Sequence, residues 1–145
     1  KAGVDFSVNP YELSVEADTY GEAVAATLGV EPDRLFKTLL AEVDEQPVVA
    51  IVPVSTRLSM KGLAKLSGGK RADMLAPSDA ERLSGYVTGG ISPFGQKRRL
   101  PVFVDETIEL FDTVFVSGGR RGLQIEVSPI DLVRLLDATT GDLTG

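Results

Sequence analysis

The chain contains no cysteine and no histidine. The first absence excludes a disulfide framework, a thiolate nucleophile and a cysteine-based zinc site. The second excludes Ser-His-Asp and Cys-His mechanisms. It also removes the commonest general base and the commonest metal ligand, so neither a metal site nor a cofactor is expected. Any chemistry must use lysine, tyrosine, serine, threonine, carboxylates, backbone amides or groups on the substrate. No run approaches the roughly 18 apolar residues of a membrane span. No secretory signal is visible, so a cytoplasmic location without a membrane partner is expected. The opening Lys1-Ala2-Gly3 reads like the middle of a segment, and the natural N-terminus is expected to lie upstream.

What is present suits one domain over residues 1–145. Hydrophobic residues make up 43% and charged residues 25%, the balance of a globular protein. The formal net charge of −6 argues against a protein that coats nucleic acid indiscriminately. The cations nevertheless cluster, as Lys70 with Arg71, Lys97 through Arg99, and Arg120 with Arg121, each group beside glycines. Such clusters are either solvated surface or a local phosphate-binding patch.

Strand and helix patterns alternate. Val4 to Val8 alternates apolar and polar residues, and Asn9-Pro10 is expected to end that strand. Thr19 and Glu22 form a capping box before a helix over 22–28 that stops at Gly29. Glu31-Pro32-Asp33 reads as a turn. Residues 35–43 and 47–54 form an expected hairpin, and Val48 to Val52 is continuously apolar, as in a central strand buried on both faces. Ser59 caps a helix to Leu66, Gly68-Gly69 ends it, and residues 70–75 suggest a short strand. Ser78 and Glu81 suggest a second capping box, with Gly85 closing its helix. Residues 101–104, 113–117 and 123–127 are strand-like, the last two as a hairpin. Ser128-Pro129 starts a helix whose Ile130, Leu132, Val133, Leu135 and Leu136 are expected to face the core. The expected fold is α/β, a single domain with a curved mixed sheet and helices packed around it.

Residues 85–101 are the least ordinary stretch. Gly89 and Gly90 permit positive φ or close approach of a ligand. Pro93 fixes its own φ and biases Ser92 towards extended backbone. The expected result is a shaped loop with exposed amides and a cationic exit at Lys97, Arg98 and Arg99. Taken alone, it is equally a solvent-exposed connection. Lys37 stands inside an apolar strand, on the face shared with Leu35 and Leu39. It is either an edge lysine that blocks aggregation or an ammonium at the rim of a pocket. Thr38 lies on the opposite face, so the two share a site only if the strand end twists or faces a cleft. Tyr11 offers a hydroxyl or a packing ring, and Ser117 a ligand group or a turn residue.

The order of these blocks is more specific than any one of them. Phe36-Lys37-Thr38-Leu39, Gly85-Tyr86-Val87, Gly89-Gly90-Ile91-Ser92-Pro93, Gly95-Gln96-Lys97 and Val116 through Leu123 closely resemble the YbaK/EbsC family along essentially the whole chain. Its members are free-standing relatives of the editing domain inserted in bacterial prolyl-tRNA synthetases. The resemblance implies a barrel-like sheet and an aminoacyl-tRNA deacylase acting on mischarged tRNA(Pro), typically carrying cysteine, with alanine or others in sister groups. It implies Lys37 as the key site residue, the family's Gly-x-x-x-Pro loop at Gly89 through Pro93, and pocket positions at Tyr11, Thr38, Gly89 and Ser117. On this reading Gly89 and Gly90 supply oxyanion amides, and Ile91, Ser92, Pro93 and Gly118 line the substrate site. Lys97, Arg98, Arg99, Arg120 and Arg121 would meet the tRNA backbone. For the cysteine-specific type, the substrate thiol itself is implied as the nucleophile. Prolyl-tRNA synthetase is the implied partner. The chain departs from the family around Tyr11, where Asn9 and Glu12-Leu13 stand in place of frequent histidines. A different class remains open: a non-catalytic module that uses the same pocket to bind the tRNA end or a synthetase.

Overall fold

A computed structural model describes residues 6–10, 32–86, 91–94, 96, 99–119 and 123–144. The expected helix over 22–28 and its capping box lie outside them. The first strand, β1 (Phe6–Pro10), runs through Asn9 and Pro10 rather than stopping before them. It pairs antiparallel with residues 123–127, from Phe6 opposite Val127 to Pro10 opposite Leu123. A sheet edge is where a proline's missing N–H costs least.

After a 3-10 turn at Pro32–Arg34 come β2 (Phe36–Val43) and β3 (Gln46–Pro53). Their hairpin turns at Asp44 and Glu45, with φ of 48° and 70°. Positive φ at both central positions matches the right-handed twist of the flanking strands. The Asp44 carboxylate pins this turn by accepting the amides of Lys70 and Arg71. Val48 to Val52 is buried throughout, as its unbroken apolar run requires.

Helix α1 (Met60–Ser67) begins where Ser59 Oγ accepts the Gly62 amide and ends at Gly68 with φ 79°. Strand β4 (Ala72–Met74) is followed by α2 (Pro77–Ser84). The capping box expected at Ser78 does not form. Pro77 opens the helix instead, with Ala76 as a cap that makes no side-chain bond, because proline's fixed φ suits the first turn.

The rest of the chain is β5 (Val102–Asp105), a 3-10 turn (Glu106–Leu110), β6 (Val114–Ser117), β7 (Leu123–Val127), α3 (Pro129–Leu136) and β8 (Thr139–Gly141). The Asp105 carboxylate, 1% exposed, accepts the amides of Thr107 and Leu143 and so ties the C-terminal segment to β5. Helix α3 is capped by Ser128 as expected, but Ile130 is 79% exposed. Only Leu132 of the expected apolar set is fully buried. Its neighbours Val133 and Leu136 pack at the margin of the core.

The α/β class and the mixed sheet are as expected, but the hydrogen bonding divides the strands into two sheets. One is antiparallel, in the order β1-β7-β6. The other has five strands, β4-β2-β3-β5-β8, with β3, β5 and β8 parallel. The five-stranded sheet buries a cluster on each face. Phe36, Leu40, Val49, Ile51 and Val104 join Val114, Val116 and Leu132 on one side. Ala41, Val43, Ala50 and Val52 meet Leu63 and Ala64 of α1 on the other. The two sheets touch through a parallel bridge, Leu35 to Phe115. Among the described residues, no helix is long and apolar enough to cross a membrane.

Candidate functional site

The outer edge of β2 carries two of the candidate residues, Lys37 and Thr38. Its inner edge is paired with β3 from Phe36 to Val43. On the outer edge, residues 41–43 pair with β4, and Leu35 bridges to β6. Among the described residues, no strand pairs with residues 36–39 on that edge. Lys37 and Thr38 lie in this gap between β4 and β6.

Lys37 is half-buried, and its Nζ donates to the Thr56 carbonyl at 2.7 Å. Thr56 follows β3, where the Val54 amide bonds to the Leu35 carbonyl and the Thr56 amide to the Pro53 carbonyl. The lysine head is thereby fixed at one end of the strand rather than left as a waving edge charge. Thr38 points to the opposite face, with Phe36 and Leu40. It is 7% exposed, and its Oγ1 has no hydrogen-bond partner among the described residues. A buried, unsatisfied hydroxyl costs roughly 1–3 kcal/mol, which a ligand bonded there would recover.

The glycine-rich region folds onto the first core. Ile91, Ser92 and Pro93 are buried, and Ile91 packs in the cluster that holds Phe36 and Ile51. Ser92 Oγ accepts the Phe94 amide at 3.1 Å, and Gln96 Nε2 donates to the Ser92 carbonyl at 3.0 Å. Ser92 is thus engaged in shaping the loop. At the end of β6, Ser117 Oγ accepts the Gly119 amide at 3.3 Å, with Gly118 half-buried between them.

Tyr86 joins these two regions. Its hydroxyl donates to the Phe94 carbonyl at 2.6 Å. Its ring lies where a Cβ on Gly119 would meet Cε1 at 3.0 Å, and Gly119 has φ +110°. Both the contact and the φ call for glycine there. The sequence places Tyr86 within a recurring block but does not single it out as a site residue. Its signal is position alone, directly after the helix-ending Gly85. The carbonyl of Thr56 and the side chain of Arg34, bonded to Thr113 and Glu126, are likewise missed.

The parallel bridge also sets a level. Two residues on from Leu35 and Phe115 stand Lys37 and Ser117, about 6.6 Å further along both strands and on one face. Lys37 and Ser117 thus stand equally far beyond the bridge in sequence, and Tyr86 links the turn at Ser117 and Gly119 to residues 91–94. Thr38 approaches from the other face of β2. Arg99 is exposed. Tyr11, Gly89, Gly90, Lys97, Arg98, Arg120 and Arg121 lie outside the described residues. Among those described, no three His, Cys, Asp or Glu side chains group closely enough to hold a metal ion. A half-open groove of about 680 Å³ lies between the 3-10 turn after β5 and α3, and none of the site residues lines it.

Among the described residues the arrangement is an anchored ammonium, a buried hydroxyl without a partner and the loop at 91–94, beside a stretch of strand edge that no described strand pairs, with no strong nucleophile among them. The same fold occurs in a solved structure described as a candidate trans-editing enzyme for prolyl tRNA synthetase. It has a TM-score of 0.85 and 23% identity, over 97% of this chain and 87% of that one. A model for the aminoacyl-tRNA editing domain matches residues 15–135, and the chain belongs to that family. It is 40% identical to EbsC of Enterococcus faecalis, named as a candidate Cys-tRNA(Pro)/Cys-tRNA(Cys) deacylase, over 92% of this chain and 83% of the relative. It is 26% identical to ProXp-y of Escherichia coli K12, named a multifunctional Ser/Thr-tRNA deacylase, over 92% of this chain and 80% of that one.

Proposed function

We propose that the protein is an aminoacyl-tRNA deacylase that edits in trans, releasing a wrongly attached amino acid from tRNA(Pro), with cysteine as the first candidate. The observation that carries this reading is the position of Lys37 and Thr38 on the stretch of β2 that no other described strand pairs on its outer edge, in a chain of the editing-domain family. The 40% identity to EbsC favours cysteine over the serine and threonine of the more distant ProXp-y.

An aminoacyl ester is already activated, so the protein needs to position it and stabilise charge rather than attack it. The Lys37 ammonium is anchored by its bond to the Thr56 carbonyl. It orients the ester carbonyl or the terminal ribose. The Thr38 hydroxyl bonds to the substrate and recovers its desolvation cost. Gly89 and Gly90 offer amides to the developing oxyanion, where one such donor is typically worth about 10²–10³ in rate. With cysteine as the acyl group, its sulfur attacks its own carbonyl carbon. A carbon–sulfur bond forms as the carbon–oxygen ester bond breaks, the ribose oxygen leaves with the thiol proton, and water then opens the four-membered cyclic thioester to give free cysteine. Lys97, Arg98, Arg99, Arg120 and Arg121 meet the acceptor backbone, a contact that positions without specifying sequence. The domain spans residues 1–145, works in the cytoplasm, and has prolyl-tRNA synthetase as its partner.

The test is a deacylation panel of Cys-, Ala-, Ser- and Thr-charged tRNA(Pro), with and without the synthetase. Fastest release of cysteine is expected. Binding without turnover on every substrate would refute the enzymatic reading.

A further inference from the structure

We propose that Arg34 is a positioning residue for the deacylation reaction, locking the register between the two sheets that sets Lys37 level with Ser117. The proposal rests on the functional reading above.

Lys37 belongs to the five-stranded sheet and Ser117 to the three-stranded one. The described backbone pairing between those sheets is the bridge from Leu35 to Phe115. One bridge is a weak constraint, and a slip of one residue would send Lys37 and Ser117 to opposite faces. Arg34 stands one residue before that bridge and grips its far side. Its Nε donates to the Thr113 carbonyl at 2.8 Å. Its Nη2 donates to Thr113 Oγ1 and, at 3.0 Å, to Glu126 Oε2. Thr113 Oγ1 in turn donates to the same carboxylate oxygen at 2.6 Å. The guanidinium carbon lies 5.1 Å from the centre of the Phe115 ring, within cation–π range.

These contacts take in the residue just before β6, the middle of β6 and its partner strand, since Glu126 pairs with Phe115. Arg34 and Glu126 are each about one-third exposed, so their charge attraction alone is modest. The geometry matters more. A planar fork holds several acceptors at fixed angles, which an ammonium on a flexible stem does not reproduce. Arg34 touches neither Lys37 nor Ser117 in any of these contacts, so it acts on the chemistry through register.

The experiment is a kinetic double-mutant cycle with Arg34→Met and Ser117→Ala, plus Arg34→Lys, on mischarged tRNA(Pro). It is run well below the melting temperature of the least stable variant. Arg34→Met is expected to lower kcat roughly 10- to 100-fold with KM changed less than about twofold, the signature of misplaced groups. Arg34→Lys is expected to recover only part of the loss. Ser117→Ala is expected to cost several-fold less in the Arg34→Met background, because the serine is already out of place. If Arg34→Met does not fold, Thr113→Val removes one acceptor and replaces it in the cycle. Full kcat in folded Arg34→Met, complete rescue by lysine, an inert Ser117→Ala, or strictly additive losses would each overturn the inference while leaving deacylation intact. A wild-type protein that releases no amino acid would overturn the functional reading, and this one with it.

Discussion

The two sheets hold their parts of the site in different ways. The five-stranded sheet is packed on both faces, and β3 at its centre is buried from Val48 to Val52. Lys37 and Thr38 ride on β2, paired with β3 along its whole length. The three-stranded sheet contributes Val114, Val116 and Val127 to a single core and meets β2 through the Leu35–Phe115 bridge. Ser117 pairs with Gln124 at the end of β6, and on the proposal above Arg34 on one side and Tyr86 on the other hold it in place relative to the larger sheet. One sheet is therefore a platform and the other an adjustable wall. Substitutions on the platform should act on chemistry alone, whereas those at the wall should act on chemistry and stability together.

The sharpest test on the platform is Lys37→Ala. Deacylation is expected to fall by at least about 10², the scale of losing a preorganised charge stabiliser, with an unchanged circular dichroism spectrum. Full activity in the folded variant would remove the platform's role. Thr38→Val comes next, because it separates activity from stability in opposite directions. Removing a buried hydroxyl that has no partner among the described residues should leave stability unchanged or raise it by up to about 1 kcal/mol, while activity falls roughly tenfold. Equal losses of both would mean that the hydroxyl serves the fold. At the wall, Tyr86→Phe deletes the bond to the Phe94 carbonyl. It should cost about 1 kcal/mol in denaturant unfolding and a few-fold in kcat. Normal stability with lost activity would move Tyr86 from the wall into the chemistry. The smallest effect is expected at Ile130→Ala, remote from both. At 79% exposure it should change unfolding free energy by less than about 0.5 kcal/mol and leave activity alone.

Local chemistry made much of the fold legible. The caps at Ser59 and Ser128, the glycine stops at Gly68 and Gly85 and the two-face burial of β3 follow from neighbouring residues. Errors arose where a residue's role is decided by what packs against it. Ile130 reads as core by helical spacing, yet α3 turns it to solvent. Asn9 and Pro10 read as strand breakers, yet an antiparallel partner accommodates them at an edge. Ser78 and Glu81 fit a capping box, but Pro77 starts the helix before them.

By itself the sequence determined the chemical inventory and the strand that carries it. With no histidine or cysteine, any chemistry must use lysine, tyrosine, hydroxyls, carboxylates, backbone amides or groups on the substrate, and the apolar run around Lys37 placed that lysine in a sheet. Only the tertiary structure decided which residues share a level. Arg34 reaches 79 positions ahead to Thr113 and 92 to Glu126, and Tyr86 meets Gly119 from another segment altogether. Contacts over such separations leave no local pattern of period two or 3.6, because nothing near Arg34 in the chain constrains what its guanidinium will find.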